Sequence, residues 1–195
     1  MGVKLHALGC AIKTIGWKIR YGKRLEIEFP QAMYKAHISI SKNAKMILKK
    51  RLQNYNGGLY LSCRGNGVMT IGEHTMFNAN VCITCVKKIT IGDNCRFANN
   101  FVMIDHDHNI NDVTGSLAKG DSPEGYEEFP GEEIVIGNGV WVGANCTILK
   151  GVHIGDNAIV AAGSTVRKDI PANTIYYEKG EAVYRPIIKR EDFSV

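Results

Sequence analysis

The segment most informative about the fold is IVIGNGVWVGANCTILKGVHIGDNAIVAAGSTVRKDI, which runs from residue 134 to residue 170. An aliphatic residue returns at every sixth position within it, namely Ile136, Val142, Ile148, Ile154, Val160 and Val166. A helix needs apolar residues at a period near 3.6, and a simple strand needs them at a period of 2. A period of six therefore predicts a solenoid whose short units stack and bury one another's aliphatic residues.

Six consecutive repeats in register predict a triangular parallel β-helix in which three repeats form one coil. The leading aliphatic residue points into the prism, and β-branched side chains suit the parallel stacking of coils. A small residue beside it, such as Gly137 or Gly143, lets the backbone turn the corner. The alternative is an ordinary β-rich sandwich with glycine turns, which so long a regular repeat disfavours.

The repeat begins before this stretch and stops once. Leading residues recur from about Met69, first at Ile71, Phe77, Ile83 and Ile89, then after two extra residues at Ile91, Phe97 and Met103. Residues 25–61 read as short strands of earlier, irregular coils. We therefore predict an all-β chain with an N-terminal helix at 1–24, a β-helix domain at 25–175 interrupted by a loop at 104–132, and a C-terminal cap at 176–195.

Composition indicates an ordinary globular protein. The chain has 195 residues, of which 45% are hydrophobic and 22% charged, with a net charge of +5. This charge is too diffuse to indicate nucleic-acid binding. The start lacks the pattern of a signal peptide, so we expect a cytoplasmic protein. The six cysteines suit packed, reduced positions, and Cys82 and Cys85 form a CxxC without a second pair, which argues against a zinc or redox site.

The N-terminal segment is amphipathic and basic. Leu5, Leu8, Ile12, Ile15 and Ile19 recur at helical spacing among lysines and arginines, with breaks expected near Gly16 and Gly22. The helix is expected to pack on the prism or on a neighbouring subunit. The alternative is peripheral contact with an anionic membrane surface.

The polar loop at 104–132 contains the densest titratable cluster in the chain, Asp105-His106-Asp107-His108. Insertions in solenoids form loops on one face and often carry function. Three interpretations of this cluster are open. It can be a metal site, since imidazole and carboxylate both ligate metals, or a solvated loop without a role. In the third interpretation, one of the two histidines acts as a general base.

At these residues the chain resembles the hexapeptide-repeat acyltransferases, in particular galactoside, maltose and nodulation-factor O-acetyltransferases and the sugar O-acetyltransferases of capsule and lipopolysaccharide clusters. The resemblance covers about residues 69–175. It is carried by IGDNCRFANN at 91–100, IGNGVWVGANCTILKGVHIGDNAIVAAGSTV at 136–166 and KDIPANT at 168–174. It implies a left-handed prism, a homotrimer with sites between subunits, and acetyl-CoA as the co-substrate.

The resemblance also implies roles for residues on the acceptor side. The family's catalytic histidine corresponds to His108, with His106 as the alternative. Asn80 corresponds to an acceptor-binding asparagine, and Asp105 is a further candidate acceptor contact. Lys87 stands near the position where galactoside enzymes carry an acceptor-binding aspartate, which argues against a galactoside or maltose substrate and suits an acidic or phosphorylated sugar.

On the donor side, the resemblance implies that Trp141 lines the acetyl and pantetheine channel. Four small residues correspond to pantetheine contacts, namely Gly143, Ala144, Ala162 and Gly163. Arg167 and Lys168 correspond to the basic pair that meets the phosphates of CoA, and Arg185 is a possible addition. After KDIPANT the chain departs from the family's usual Gly-x-Pro segment, so the C-terminal cap is expected to differ.

The predicted function is transfer of acetyl from acetyl-CoA to a sugar hydroxyl of a surface polysaccharide or its precursor, with no metal required. Two alternatives remain open at this point. One is N-acetylation of an amino-sugar nucleotide, which needs the same base. The other is a non-catalytic repeat scaffold, which would lack the histidine loop and the basic CoA end.

Overall fold

The computed structural model describes residues 2–33, 35–54, 57–107 and 130–178, with side chains from residue 7 onward. The chain begins with helix α1 at Gly2–Tyr21 and a 3-10 turn at Gly22–Arg24. Short strands follow, and within the described residues they are β1 Leu25–Ile27, β2 Ala36–Ile40, β3 Lys45–Leu48, β4 Gln53–Asn54, β5 Leu59–Cys63, β6 Val68–Ile71, β7 Met76–Phe77, β8 Val81–Cys85, β9 Lys88–Ile91, β10 Arg96–Phe97, β11 Val102–Ile104, β12 Ile134–Ile136, β13 Trp141–Val142, β14 Thr147–Ile148, β15 His153–Ile154, β16 Ile159–Val160, β17 Thr165–Val166 and β18 Ile175–Tyr176.

The strands form three parallel six-stranded sheets, which are the three walls of a prism. Sheet A is ordered β1-β3-β6-β9-β12-β15, sheet B is β18-β16-β13-β10-β7-β4, and sheet C is β17-β14-β11-β8-β5-β2. Successive strands along the chain belong to different walls, so every coil contributes one strand to each sheet. The predicted parallel β-helix is confirmed, while its left-handedness continues to rest on the family resemblance.

The core is the interior of this prism. All six predicted leading residues, from Ile136 to Val166, are at most 2% exposed. The early coils are longer than the later ones, because Leu48 lies opposite Ile71 and Ile71 opposite Ile91, whereas Ile136 lies opposite Ile154. The hexad repeat is therefore clean only in the second half of the chain.

Asparagines occupy one corner of the prism in a stacked row. Asn80, Asn100 and Asn145 adopt φ near +57°, a left-handed conformation that Asn tolerates better than most residues. Asn80 donates through Nδ2 to Asn100 Oδ1 at 3.1 Å, and Asn100 donates in turn to Asn145 Oδ1 at 2.9 Å. This ladder joins the coils along the corner between sheets B and C.

Helix α1 packs on the prism through an unexpected face. Cys10, Thr14 and Tyr21 are buried, and the Tyr21 hydroxyl donates to the carbonyl of Ile38 in β2 at 2.7 Å. The expected packing of the helix on the prism is therefore present, while the stripe that includes Ile12 and Ile19 is exposed. The break expected near Gly16 is absent, because the helix continues to Tyr21, whereas the helix does end before Gly22 as expected.

Within the described part of the chain, no helix combines the length and the apolar character that crossing a membrane requires.

Candidate active site

Asp105 is the centre of a hydrogen-bonded cluster at the point where the chain leaves β11. Its carboxylate is fully buried, and it accepts the backbone N–H groups of Val86, Lys87 and Lys88 at 2.8, 2.8 and 2.9 Å. Val86 and Lys87 form the turn between β8 and β9, one coil earlier, and Lys88 begins β9. His106 Nδ1 lies 3.1 Å from Asp105 Oδ1, and because an ionised carboxylate only accepts hydrogen bonds, Nδ1 donates.

Two opposing effects act on the pKa of Asp105. Burial raises it, but the hydrogen bonds from His106 and from the amides of Val86 and Lys87 outweigh burial, and the pKa lies below its ordinary value. Asp105 is therefore ionised at neutral pH. The expectation that it contacts an acceptor does not fit a carboxylate without exposed surface, and the geometry assigns it to holding the turn and the His106 ring.

The two ends of the inserted loop meet at this cluster. His106 forms an antiparallel bridge with Gly131, Asp107 N–H donates to the carbonyl of Pro130 at 3.2 Å, and Glu132 N–H donates to the carbonyl of Asp105 at 2.9 Å. We call residues 105–107 and 130–132 the loop clasp. A side chain at Gly131 would begin 2.9 Å from Lys87 Cβ, so the close approach of these segments requires glycine there.

An ion pair also joins the two sides of the loop clasp. Lys150 Nζ lies 2.5 Å from Glu132 Oε1 and 3.4 Å from Asp107 Oδ2. The hydrogen bond from Lys150 to Glu132 raises the pKa of the lysine. Lys150 was not predicted from the sequence. It could have been, because Lys150 lies one coil after Glu132 and residues one coil apart stack on neighbouring strands.

Of the two candidate bases, the structure describes His106. The His106 side chain is 8% exposed and lies inside the loop clasp. His108 lies outside the described residues, as does the predicted loop between 108 and 129. Residues 105–107 hold the chain at the corner between sheets C and A immediately before His108.

The predicted acceptor residues do not all meet in one chain. The side chain of Lys87 is exposed beside the loop clasp, and its own amide binds Asp105. Asn80 stands before β8, at the opposite edge of sheet C from the loop clasp. At about 3.3 Å per residue, the five residues of β8 separate the two edges by roughly 15 Å.

The four predicted pantetheine contacts do come together at the corner between sheets B and C, which we call the donor corner. Gly163 N–H donates to the carbonyl of Ala144 at 2.8 Å. A Cβ on Gly143 would lie 2.5 Å from the backbone nitrogen of Ala162, so coil packing already requires glycine at that position. Gly163 adopts φ +79° and has open space beside it, which leaves an exposed backbone surface.

Trp141 lies on the outer face of sheet B, two residues before Gly143. It is 54% exposed and stands opposite Arg96 in β10 and Ile159 in β16. Its neighbour Val142 points inward and is buried. An aromatic ring that is half exposed next to open backbone is available to pack against a ligand.

The predicted phosphate contacts lie at the opposite end of β17 from the donor corner. Arg167 Nη1 is 3.2 Å from Glu178 Oε1 and 3.2 Å from the carbonyl of Thr165, so its charge is partly compensated. Lys168 is exposed and forms no ion pair within the described residues. Arg185 and most of the predicted C-terminal cap lie outside the described residues.

The cysteines and carboxylates give no indication of a metal centre. Among the residues that the structure describes, no three His, Cys, Asp or Glu side chains are grouped to hold a metal ion. All six cysteines are free thiols, and Cys85 is buried while Cys82 lies partly exposed on the outer face of the same strand. Burial raises the pKa of Cys95 to about 11, so that thiol stays protonated.

Family models match two parts of the chain. Residues 68–103 match the hexapeptide repeat of succinyl-transferase, and residues 133–168 match the bacterial transferase hexapeptide of six repeats. The two matches flank the inserted loop. The second match contains the donor corner, and the loop clasp lies between the two matches.

Two curated relatives come from Escherichia coli. WbbJ, provisionally named as an O-acetyl transferase of lipopolysaccharide biosynthesis, is 32% identical over 60% of this chain and 60% of its own length. Galactoside O-acetyltransferase is 40% identical over 54% of this chain and 47% of its own length. The chain thus spans about half to three fifths of these relatives.

A solved structure supports the fold. The hexapeptide-repeat acetyltransferase VCA0836 of Vibrio cholerae, crystallised with acetyl coenzyme A, is 23% identical, with a TM-score of 0.50. The alignment covers 85% of this chain and 70% of that one. The two family models and the three-walled prism identify residues 68–103 and 133–168 as hexapeptide repeats.

Proposed function

We propose that this protein is an acetyl-CoA-dependent O-acetyltransferase that acetylates a sugar hydroxyl of a surface polysaccharide or its precursor. The observation that carries the proposal is the buried Asp105–His106 pair at the base of the inserted loop. Such a cluster holds a histidine-bearing loop at one edge of sheet C. The names of the E. coli relatives support acetyl transfer, and that of WbbJ supports a surface glycan as the acceptor.

In the proposed mechanism, His108 removes the proton from the acceptor hydroxyl, and the resulting alkoxide attacks the thioester carbonyl. A backbone N–H of a neighbouring coil stabilises the oxyanion. CoA leaves as a thiolate and takes its proton from the imidazolium. His108 is favoured over His106 as the base because the His106 ring is largely buried and donates to Asp105 through Nδ1.

Acetyl-CoA is the proposed co-substrate, and the donor corner with Trp141 is its proposed site. Among the described residues, the amide N–H groups of Ala144 and Ala162 donate no hydrogen bond. These donors suit the carbonyl groups of a pantetheine arm. A cytoplasmic location fits both the supply of acetyl-CoA and the free thiols.

We further propose a homotrimer with the active site between two subunits. Within one chain the loop clasp and the donor corner lie at opposite edges of sheet C, as do the loop clasp and Asn80. The loop clasp of one subunit can share one acetyl group and one acceptor with the donor corner and Asn80 of the next subunit. This requires that the two opposite edges of sheet C face each other across the subunit contact. A monomer by light scattering at micromolar concentration would contradict this arrangement.

The first experiment measures acetyl-CoA binding by calorimetry for wild type and for the double variant Trp141→Ala, Lys168→Ala. Micromolar binding that weakens in the double variant supports the donor site. The matched control is Lys42→Ala, an exposed lysine on an early coil, which should bind like wild type. Absence of binding at millimolar acetyl-CoA would refute the acetyltransferase proposal.

The second experiment follows release of the CoA thiol with a panel of neutral, acidic and phosphorylated sugars and amino-sugar nucleotides. His108→Ala should lose about two to four orders of magnitude in kcat, as expected for loss of a general base. His153→Ala, which removes a half-exposed imidazole on sheet A, is the matched control and should stay near wild type. Acetylation of an amino group instead of a hydroxyl would favour the N-acetyltransferase alternative.

A mixing experiment tests the shared site. Subunits carrying His108→Ala and subunits carrying Trp141→Ala are each expected to be inactive as pure oligomers. Co-refolded mixtures should regain activity, because some sites then combine an intact loop with an intact donor corner. Mixtures as inactive as the pure variants would indicate that one chain supplies the whole site.

A further inference from the structure

Helix α1 presents an apolar stripe that the fold does not use. Leu8, Ile12, Ile15 and Ile19 are between 50% and 80% exposed, and their spacing places them in one row along the helix. Large aliphatic side chains in a contiguous exposed row indicate an interaction surface more often than single exposed ones do.

The opposite face of the helix already fixes it to the prism. Cys10, Thr14 and Tyr21 are buried there, and Trp17 packs partly against the core. At about 100° per residue, this inner face points away from the Leu8–Ile19 stripe. The helix is therefore held in place, with the stripe directed outward, by contacts that leave the stripe uncovered within the described part of the chain.

Basic residues lie on both flanks between the two faces. Lys13 and Arg20 fall on one flank and Lys18 on the other, and Lys23 follows in the 3-10 turn. Residues 2–24 contain no Asp or Glu. Pairing this helix with the same helix of a second copy would oppose two basic surfaces without a compensating acid, which is unfavourable.

An apolar row bordered by lysine and arginine is the pattern of a helix that lies in the plane of a bilayer surface. Each basic residue near an anionic surface adds roughly 1 kcal/mol of attraction. We propose that helix α1 docks this protein on anionic lipid membranes, with the Leu8–Ile19 stripe inserted among the acyl chains and Lys13, Lys18 and Arg20 at the headgroups. The inference does not depend on the proposed function, because membrane docking needs no acetyl transfer.

The test is flotation of the full-length protein with phosphatidylcholine vesicles that contain about 30% phosphatidylglycerol. Wild type should float with these vesicles, should stay in solution with pure phosphatidylcholine, and should be released as salt is raised. The variant Ile12→Gln, Ile15→Gln, Ile19→Gln should bind at least about tenfold more weakly. Ile175→Gln, an equally exposed isoleucine at the far end of the prism, is the matched control and should bind like wild type.

The charge contribution is tested separately. Lys18→Glu with Lys23→Glu should weaken binding to the anionic vesicles, whereas Lys42→Glu should leave it unchanged. Equal flotation with neutral and anionic vesicles, or no flotation with either, would overturn the proposal. Loss of oligomeric state in the triple glutamine variant would also overturn it and would assign the stripe to a subunit contact.

Discussion

Replacement of Asp105 tests the loop clasp most directly. In Asp105→Ala the N–H groups of Val86, Lys87 and Lys88 lose their shared acceptor, and His106 loses the partner of Nδ1. Hydrogen bonds to a charged group contribute about 1.5–3 kcal/mol each, and a buried donor left unpaired costs about 1–3 kcal/mol.

The size of the effect follows from which donors water can reach. Val86 is buried, so its N–H group stays unpaired in the variant. Lys87 and Lys88 are exposed, so water replaces part of the hydrogen bonding that their N–H groups lose. We therefore expect Asp105→Ala to lower the free energy of unfolding by about 3–5 kcal/mol. For a chain of this length, that corresponds to a fall in melting temperature of roughly 6–20 °C.

Thermal unfolding followed by circular dichroism measures this change. The melting temperature of Asp105→Asn should lie between those of Asp105→Ala and wild type. The amide keeps one acceptor oxygen, but in either orientation its NH2 group faces an N–H donor. Asp107→Asn is the matched control, since Asp107 is mostly exposed and its loss should change stability by about 0.5 kcal/mol or less. If Asp105→Asn melts as Asp107→Asn does, the assigned role of Asp105 in holding the turn is wrong.

Three further predictions follow from the same structure. The stabilisation by Asp105 should be complete above the unfolded-state pKa of about 3.9 and should disappear as pH falls through the lower folded-state pKa. The free energies of unfolding of wild type and Asp105→Asn, measured at equilibrium, should therefore become equal in acid. Gly143→Ala should cost about 1–3 kcal/mol in denaturant unfolding, because its Cβ would lie 2.5 Å from the Ala162 nitrogen; a cost within experimental error would contradict the close packing of these coils. Gly16→Ala should instead stabilise the protein by about 0.5–1 kcal/mol, because its Cβ meets open space in a helix, and a lower melting temperature would argue against the continuous helix.

The helix shows that a correct periodicity does not by itself identify the face that packs. The spacing of Leu8, Ile12, Ile15 and Ile19 predicts an amphipathic helix, and the helix is present. Hydrophobicity favoured this stripe as the packed face. The prism is contacted instead through Tyr21, whose hydroxyl donates to the carbonyl of Ile38, and through Trp17, which packs partly against the core. Shape and hydrogen bonding decided the face, and neither can be read from helical periodicity.

The loop clasp illustrates the same limit for the candidate site. From the sequence, Asp105 to His108 form an exposed-looking titratable cluster at the start of a polar loop. The structure buries Asp105 because the turn at 86–88, one coil earlier, directs three N–H groups at it. The early coils differ in length, so this pairing could not be counted out along the chain.

The sequence alone predicted the parallel prism, the inward direction of residues such as Ile136 and Val160, and the place of the inserted loop. It could do so because an equal number of residues per coil turns three-dimensional stacking into a one-dimensional period. Tertiary contacts were needed to establish which face of α1 is used, that Asp105 is a buried anchor, and that the loop clasp and the donor corner occupy opposite edges of sheet C. These features depend on contacts between coils of unequal length and between elements that share no repeat, and no local pattern records them.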